Sequence, residues 1–223
     1  VRGTPWLDDS IAPFTRVVDP KQDFADLPYS DEDRALLRAW LTRASTAVRE
    51  AQPAPGLLLR GAVGSGRKTA IGALCRTQRL RLLVVDARLL PSDEDGASSA
   101  LRTALRDARL HDAALVIEHA DALSRDSAAG LARLQAVAAM YRQTRHRGGT
   151  LIFFTAEGGE RLPIEEELGV ASVSLPSPSS AGRFALWRRL LPPHRTDHEG
   201  AVLPGQIGRV SGGMGVSVQE IAV

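Results

Sequence analysis

Apolar positions along the chain fall into short continuous runs separated by stretches with helical spacing. Leu57-Leu58-Leu59, Leu80 to Val85, Ala113 to Ile117, Leu151 to Phe154 and Ala171 to Leu175 are each too short for a helix and apolar throughout or nearly so. Such runs predict strands buried on both faces. Over 31–50, Leu36, Leu37, Trp40, Leu41 and Val48 recur at helical spacing. Ser30 precedes them as a cap, and Asp31, Glu32 and Asp33 make an acidic first turn, so a helix starts there. The segment Gln52-Pro53-Ala54-Pro55-Gly56 ends it. Further helices are predicted from Thr69 to Cys75, over 98–109, over 127–143 with Leu131, Leu134, Val137, Ala138 and Tyr141 on one face, and from Ala181 to Leu191. Alternation of strand and helix predicts an α/β fold with a parallel sheet covered on both faces. Residues 1–30 are rich in Pro and Asp without a period, and predict an extended linker. The Arg/His cluster 142–147 predicts a solvated loop, and no internal repeat is visible.

Composition changes this picture in a few places. Aromatics make up 4% of residues, so the core must be built from Leu, Val, Ile and Ala. A net charge of +2 gives no argument for nucleic acid or a membrane surface. Only two of the 28 basic residues are lysines, Lys21 and Lys68, and Lys68 sits in a glycine-rich segment. Cys75 is the only cysteine, so no internal disulfide forms. With no apolar run of membrane-spanning length and no signal peptide at Val1-Arg2-Gly3-Thr4, a cytoplasmic location without a membrane partner is expected. The chain lacks an initiator Met and stops at Ile221-Ala222-Val223 within a helical pattern, as a piece of a longer chain would.

The segment Gly61-Ala62-Val63-Gly64-Ser65-Gly66-Arg67-Lys68-Thr69 lies between a predicted strand and a predicted helix. That context suits phosphate binding. Glycines allow backbone conformations closed to other residues, successive N–H groups then converge, and the helix N-terminus adds positive potential.

Gly61 through Thr69 resembles the Walker A loop of AAA+ P-loop ATPases, G-x-x-G-x-G-K-T. The ungapped match keeps Ala70, Ile71 and Leu74 in helical phase. It puts Arg67 at the usual lysine position and Lys68 at the usual Ser/Thr position. Ala114 to Leu123 resembles the Walker B segment, with Glu118 in place of the metal-supporting Asp and His119 in place of the water-activating Glu. Thr150 to Thr155 resembles the strand that carries the first sensor, with Thr155 at the sensor position.

The resemblance implies a P-loop NTPase-type three-layer parallel sheet over 31–176 and the start of a small helical lid over 177–223. It implies ATP or ADP as ligand, bound through Gly61, Gly64, Ser65, Gly66, Arg67, Lys68 and Thr69. Glu118 is the implied metal-site residue, and Glu118, His119 and Thr155 are the implied catalytic positions. Sister AAA+ subunits in a ring, or other protein partners, are implied as well. Arg161 is the candidate arginine finger. Arg183 and the segment Ser211-Gly212-Gly213-Met214 resemble parts of the lid, where no second-sensor Arg is evident. The acidic loop from Pro91 to Gly96 carries no aromatic, which argues against a peptide-threading motor. Asp121 is expected as a helix cap.

An ammonium at Lys68 cannot ligate magnesium, whereas Arg67 can hold phosphate with its planar fork. Nucleotide binding without magnesium and impaired hydrolysis are therefore expected, in a regulatory or assembly role. The alternatives are an active, divergent ATPase remodelling a protein partner, and a nucleotide-independent scaffold.

Overall fold

In the computed structural model of the chain, residues 7–177 are described apart from 28 and 148. The helix expected at 181–191, Arg183 and the segment 211–214 lie outside the described residues. Six strands form one sheet: β1 (Thr15–Val18), β2 (Leu57–Arg60), β3 (Arg81–Asp86), β4 (Ala113–Glu118), β5 (Ile152–Ala156) and β6 (Ala171–Ser174). Their order is β1-β3-β4-β5-β2-β6. All neighbours are parallel except β1, which pairs antiparallel with β3. Among the described residues five α-helices accompany them: α1 (Asp31–Arg49), α2 (Arg67–Thr77), α3 (Glu94–Leu110), α4 (Ala128–Arg147) and α5 (Pro163–Leu168).

Strand side chains alternate between faces, and each face feeds its own core. Leu57, Leu59, Leu82, Val84, Val116 and Phe153 pack with α1 and α2. Leu58, Leu83, Val85, Leu115, Ile117 and Phe154 pack with α3, α4 and α5. Four of the scarce aromatics meet in two pairs across the sheet. Trp40 tilts against Phe153 at 5.1 Å between centroids, and Tyr141 meets Phe154 edge-on at 6.1 Å. The Tyr141 hydroxyl also accepts the Gly56 N–H at 2.7 Å, fixing the entry to β2.

Four segments differ from the sequence expectation. Residues 15–18 of the expected linker are a strand, held because Thr-Arg-Val-Val pairs with the otherwise open edge of β3. Ile11, Phe24, Leu27 and Tyr29 of the same segment are buried. Asp93 to Gly96 is not loop but the cap and first turn of α3: the Asp93 carboxylate accepts from Gly96 N at 2.6 Å, and Glu94 and Asp95 favour the positive helix end. The backbone of α4 runs through Arg147, so the cluster 142–147 belongs to its last turns rather than to a loop. The unpredicted α5 is a six-residue helix started by Pro163 and stopped by Gly169, whose φ is +61°.

The strand order also fixes where a ligand can sit. The helix after β2 covers one face, and those after β3, β4 and β5 cover the other. β2 and β5 are adjacent, so their connections leave the sheet toward opposite faces. The crevice that this opens at the carboxyl ends of parallel strands is the favoured ligand position in open α/β sheets.

Candidate functional site

The glycine segment fills that crevice. Gly61 follows the last residue of β2 with φ +154°, and a Cβ there would lie 2.5 Å from Ser65 Oγ and 2.7 Å from the Leu175 carbonyl. Only glycine lets the chain pass between them. Gly64 and Gly66 have φ of +80° and +82°, and Gly66 is the N-cap of α2. Ser65 N donates to Ala62 O at 3.0 Å, closing the turn. Among the described residues, the N–H groups of Gly64, Gly66, Arg67, Lys68 and Thr69 have no hydrogen-bond acceptor. Ser65 Oγ is buried and unpartnered as well. This is a set of donors for an anion at the start of α2.

Tyr29, from the segment before α1, holds the loop from behind. Its hydroxyl lies 2.9 Å from Ser65 O and 3.0 Å from Gly66 O, and donates its one proton between them. Burial, with a smaller contribution from the Asp33 carboxylate, pushes the phenol above its ordinary pKa, so it stays a neutral donor.

The two cations of the loop reach different strands. Arg67 reaches across the crevice to β5, donating to the Ala156 carbonyl and standing 3.6 Å from Glu157 Oε1. Lys68 reaches one strand farther on the same side of β2, to β4, with Nζ 3.2 Å from Glu118 Oε1. That approach is ionic and is not directed along a hydrogen bond. Arg16, from β1, donates to the other carboxylate oxygen. Glu118 is thus a buried carboxylate, 2% exposed, clamped between two cations.

His119 follows with φ +54°, a left-handed conformation unusual for a residue with a side chain. Its Nε2 lies 4.0 Å from Asp86 Oδ2, on β3. Because β3 flanks β4 on the side away from β5 and β2, this contact draws the imidazole away from the glycine loop. Burial raises the Asp86 carboxyl, but hydrogen bonds from the Arg88 side chain and backbone, and the charges of His119 and Arg88, outweigh it and hold its pKa below the ordinary value.

Thr155 is buried in β5 opposite Leu59 of β2, and strand alternation puts it on the same sheet face as Phe153, the face covered by α2. Arg161 is exposed in the approach to α5. Asp121 lies in a 3-10 turn, Ala120–Ala122, and accepts from Glu157 N at 3.3 Å, so it ties two loops together instead of capping a helix. The acidic run after it is committed structurally. Glu165 pairs with Arg60, and Glu166 and Glu167 face Arg125 at 3.8 and 2.7 Å.

The structure therefore gathers Gly61, Gly64, Ser65, Gly66, Arg67, Lys68, Thr69 and Glu118 on one rim of the sheet. Tyr29 and Arg16 join them without a motif to announce them. A phosphate fits this donor set. The carboxylate on this rim, Glu118, already faces two positive charges, those of Arg16 and Lys68. Among the described residues, no helix is long and apolar enough to cross a membrane. No protein-family model and no curated protein matches the chain.

Proposed function

We propose that this chain is a degenerate AAA+ module that holds ATP or ADP at the Gly61–Thr69 loop without magnesium and serves assembly or regulation, not turnover. The observation that carries the reading is the clamp on Glu118. Lys68 Nζ stands 3.2 Å from the carboxylate, at the position where a Ser/Thr-held metal would meet a Walker B acid. The protein supplies its own cation there, and Arg16 neutralises what remains. The P-loop type of the sheet rests on the same argument: a glycine loop leaving β2 into α2, at the crevice between β2 and β5.

Hydrolysis is disfavoured on this reading. No carboxylate stands at 119, and the imidazole there faces Asp86. Loss of one preorganised group that stabilises a phosphoryl-transfer transition state is worth about 3 kcal/mol, and here both the metal and the water-orienting carboxylate are replaced. Arg67, the residue at the lysine position, is held by Ala156 and Glu157 and leaves them to meet a phosphate.

The test is a calorimetric titration with ATP and with ADP, in EDTA and again in millimolar magnesium, alongside a phosphate-release assay. Equal affinity in both buffers and no release above background are expected. A strict magnesium requirement, or release abolished by Glu118→Gln, would replace this reading with that of an active divergent ATPase. No nucleotide binding in either buffer would leave a scaffold.

A further inference from the structure

A second cleft lies on the flank of α2, starting from Lys68 and Thr69 at the end of the glycine loop. It has a volume of about 370 Å³ and is walled by β1, the segment 19–22, α2 and β3. Val18, Pro20, Ala73, Leu82 and Val84 make most of its wall apolar, while Arg16, Lys21 and Lys68 stand at its edges. That size and lining, apolar with a few convergent polar groups, are those of a small-molecule site.

Three observations point to an occupant. The first is Gly72, which lines the cleft in the middle of α2. Glycine weakens a helix interior. Nothing in the packing requires it, because a Cβ at 72 would meet only Pro20 Cβ at 3.6 Å and Leu82 Cδ1 at 3.8 Å, ordinary contacts. The missing side chain is the space of the cleft. The second is that both lysines of the chain, Lys21 and Lys68, line this one cleft in a protein whose other basic residues are all arginine. Among the described residues the Lys21 ammonium has no ion-pair or hydrogen-bond partner. The third is charge. Arg16, Lys21, Lys68 and Arg81 stand against Asp19, paired with Arg81 at 3.1 Å, and Glu118, which leaves two positive charges in surplus.

We propose that this cleft binds a small organic phosphate monoester, its apolar body against Gly72, Leu82 and Val84 and its dianionic head toward Lys21 and Lys68. A phosphate monoester carries close to the two negative charges the rim lacks. The site shares Lys68 and Thr69 with the end of the glycine loop, while its apolar wall and Lys21 lie outside that loop.

Octyl phosphate is the probe, titrated calorimetrically into the whole chain, with octanol and inorganic phosphate as controls. Saturable one-to-one binding is expected, at least tenfold tighter than either control and weakened by salt. Gly72→Leu fills the cleft while favouring the helix, and is expected to bring octyl phosphate down to the affinity of inorganic phosphate, which it leaves unchanged. Lys21→Gln, remote from the loop, should weaken octyl phosphate about tenfold, and Lys21→Arg should recover only part of it. Octanol binding as tightly as octyl phosphate, no saturable binding up to 1 mM probe, or unchanged affinity in both Gly72→Leu and Lys21→Gln overturns the proposal.

Discussion

The carboxyl ends of β2 and β4 lie on the same rim of the sheet, and they hold their surroundings by different means. At the end of β2 the geometry is made by backbone: positive φ at Gly61, Gly64 and Gly66, and N–H groups that, among the described residues, have no acceptor. At the end of β4 everything depends on which side chains are present. Glu118 is neutralised by Arg16 and Lys68, and His119 is turned to Asp86. A phosphate cradle made of N–H groups tolerates changes of side chain that a metal site does not. On the proposed reading, one half of a phosphate-handling site stands beside another whose place is taken by an internal ion pair.

The contrast can be broken first at the backbone. Gly61→Ala would drive a Cβ into Ser65 Oγ and the Leu175 carbonyl. A loss of about 3 kcal/mol in thermal or urea unfolding is expected, with loss of nucleotide binding. An alanine accommodated without either effect would mean that the loop is not set by its backbone. At the β4 side, Lys68→Thr removes one cation from a buried carboxylate. Because Lys68 is itself 40% exposed, the expected loss is about 2 kcal/mol in EDTA, below the range for a fully buried pair. Millimolar magnesium should restore much of it in the variant and leave the parent melting temperature unmoved. A variant indifferent to magnesium would show that the lysine does not stand in for a metal.

Tyr29→Phe tests the support behind the loop. It removes the donor to the Ser65 and Gly66 carbonyls, so about 1 kcal/mol of stability should go, with weaker ATP binding in the same titration. The smallest effect belongs to acid. Asp86 is held below its ordinary 3.8 against the raising effect of burial, by hydrogen bonds from Arg88 and by the His119 charge. Glu165 is held below 4.5 against burial by the Leu162 N–H and Arg60. Asp8 is lowered to about 2 by Ser10 and Arg106. A depressed native pKa gives stability that is full above the unfolded value and lost as pH falls through the native one. Melting temperature should be flat near neutrality and fall below about pH 4, with Arg88→Ala removing part of that acid slope.

Much of the fold was legible because β2 to β5 are nearly unmixed apolar runs and α1 and α3 carry side-chain caps. The five parallel strands and α1 to α4 stand close to where periodicity puts them. β1 was hidden because four residues with one arginine carry no period, and their reason to be extended lies in β3, far along the chain. α5 was hidden because it is held by Pro163, Gly169 and the Arg60–Glu165 pair and not by a long amphipathic face. At the site, the loop glycines could be read from spacing alone. The clamp could not: Lys68 and Glu118 meet only through the pairing of β2 with β5 and of β5 with β4, and Arg16 reaches them only because β1 adds to the sheet. Tyr29 carried one faint signal, an aromatic directly before the Ser30 cap, where a residue often packs back on its helix.

The strand order has a consequence for how the molecule comes into being. β2 is the first parallel strand to leave a ribosome, yet its neighbours are β5 and β6, so its ladders wait until Phe153 and Ala171 have been made. Until then an apolar strand with the glycine loop at its tip has two open edges, and closure over so long a stretch of chain is slow. The crevice beside the loop needs β5 in place, and a chain cut between β5 and β6 would leave β2 with one edge unpaired.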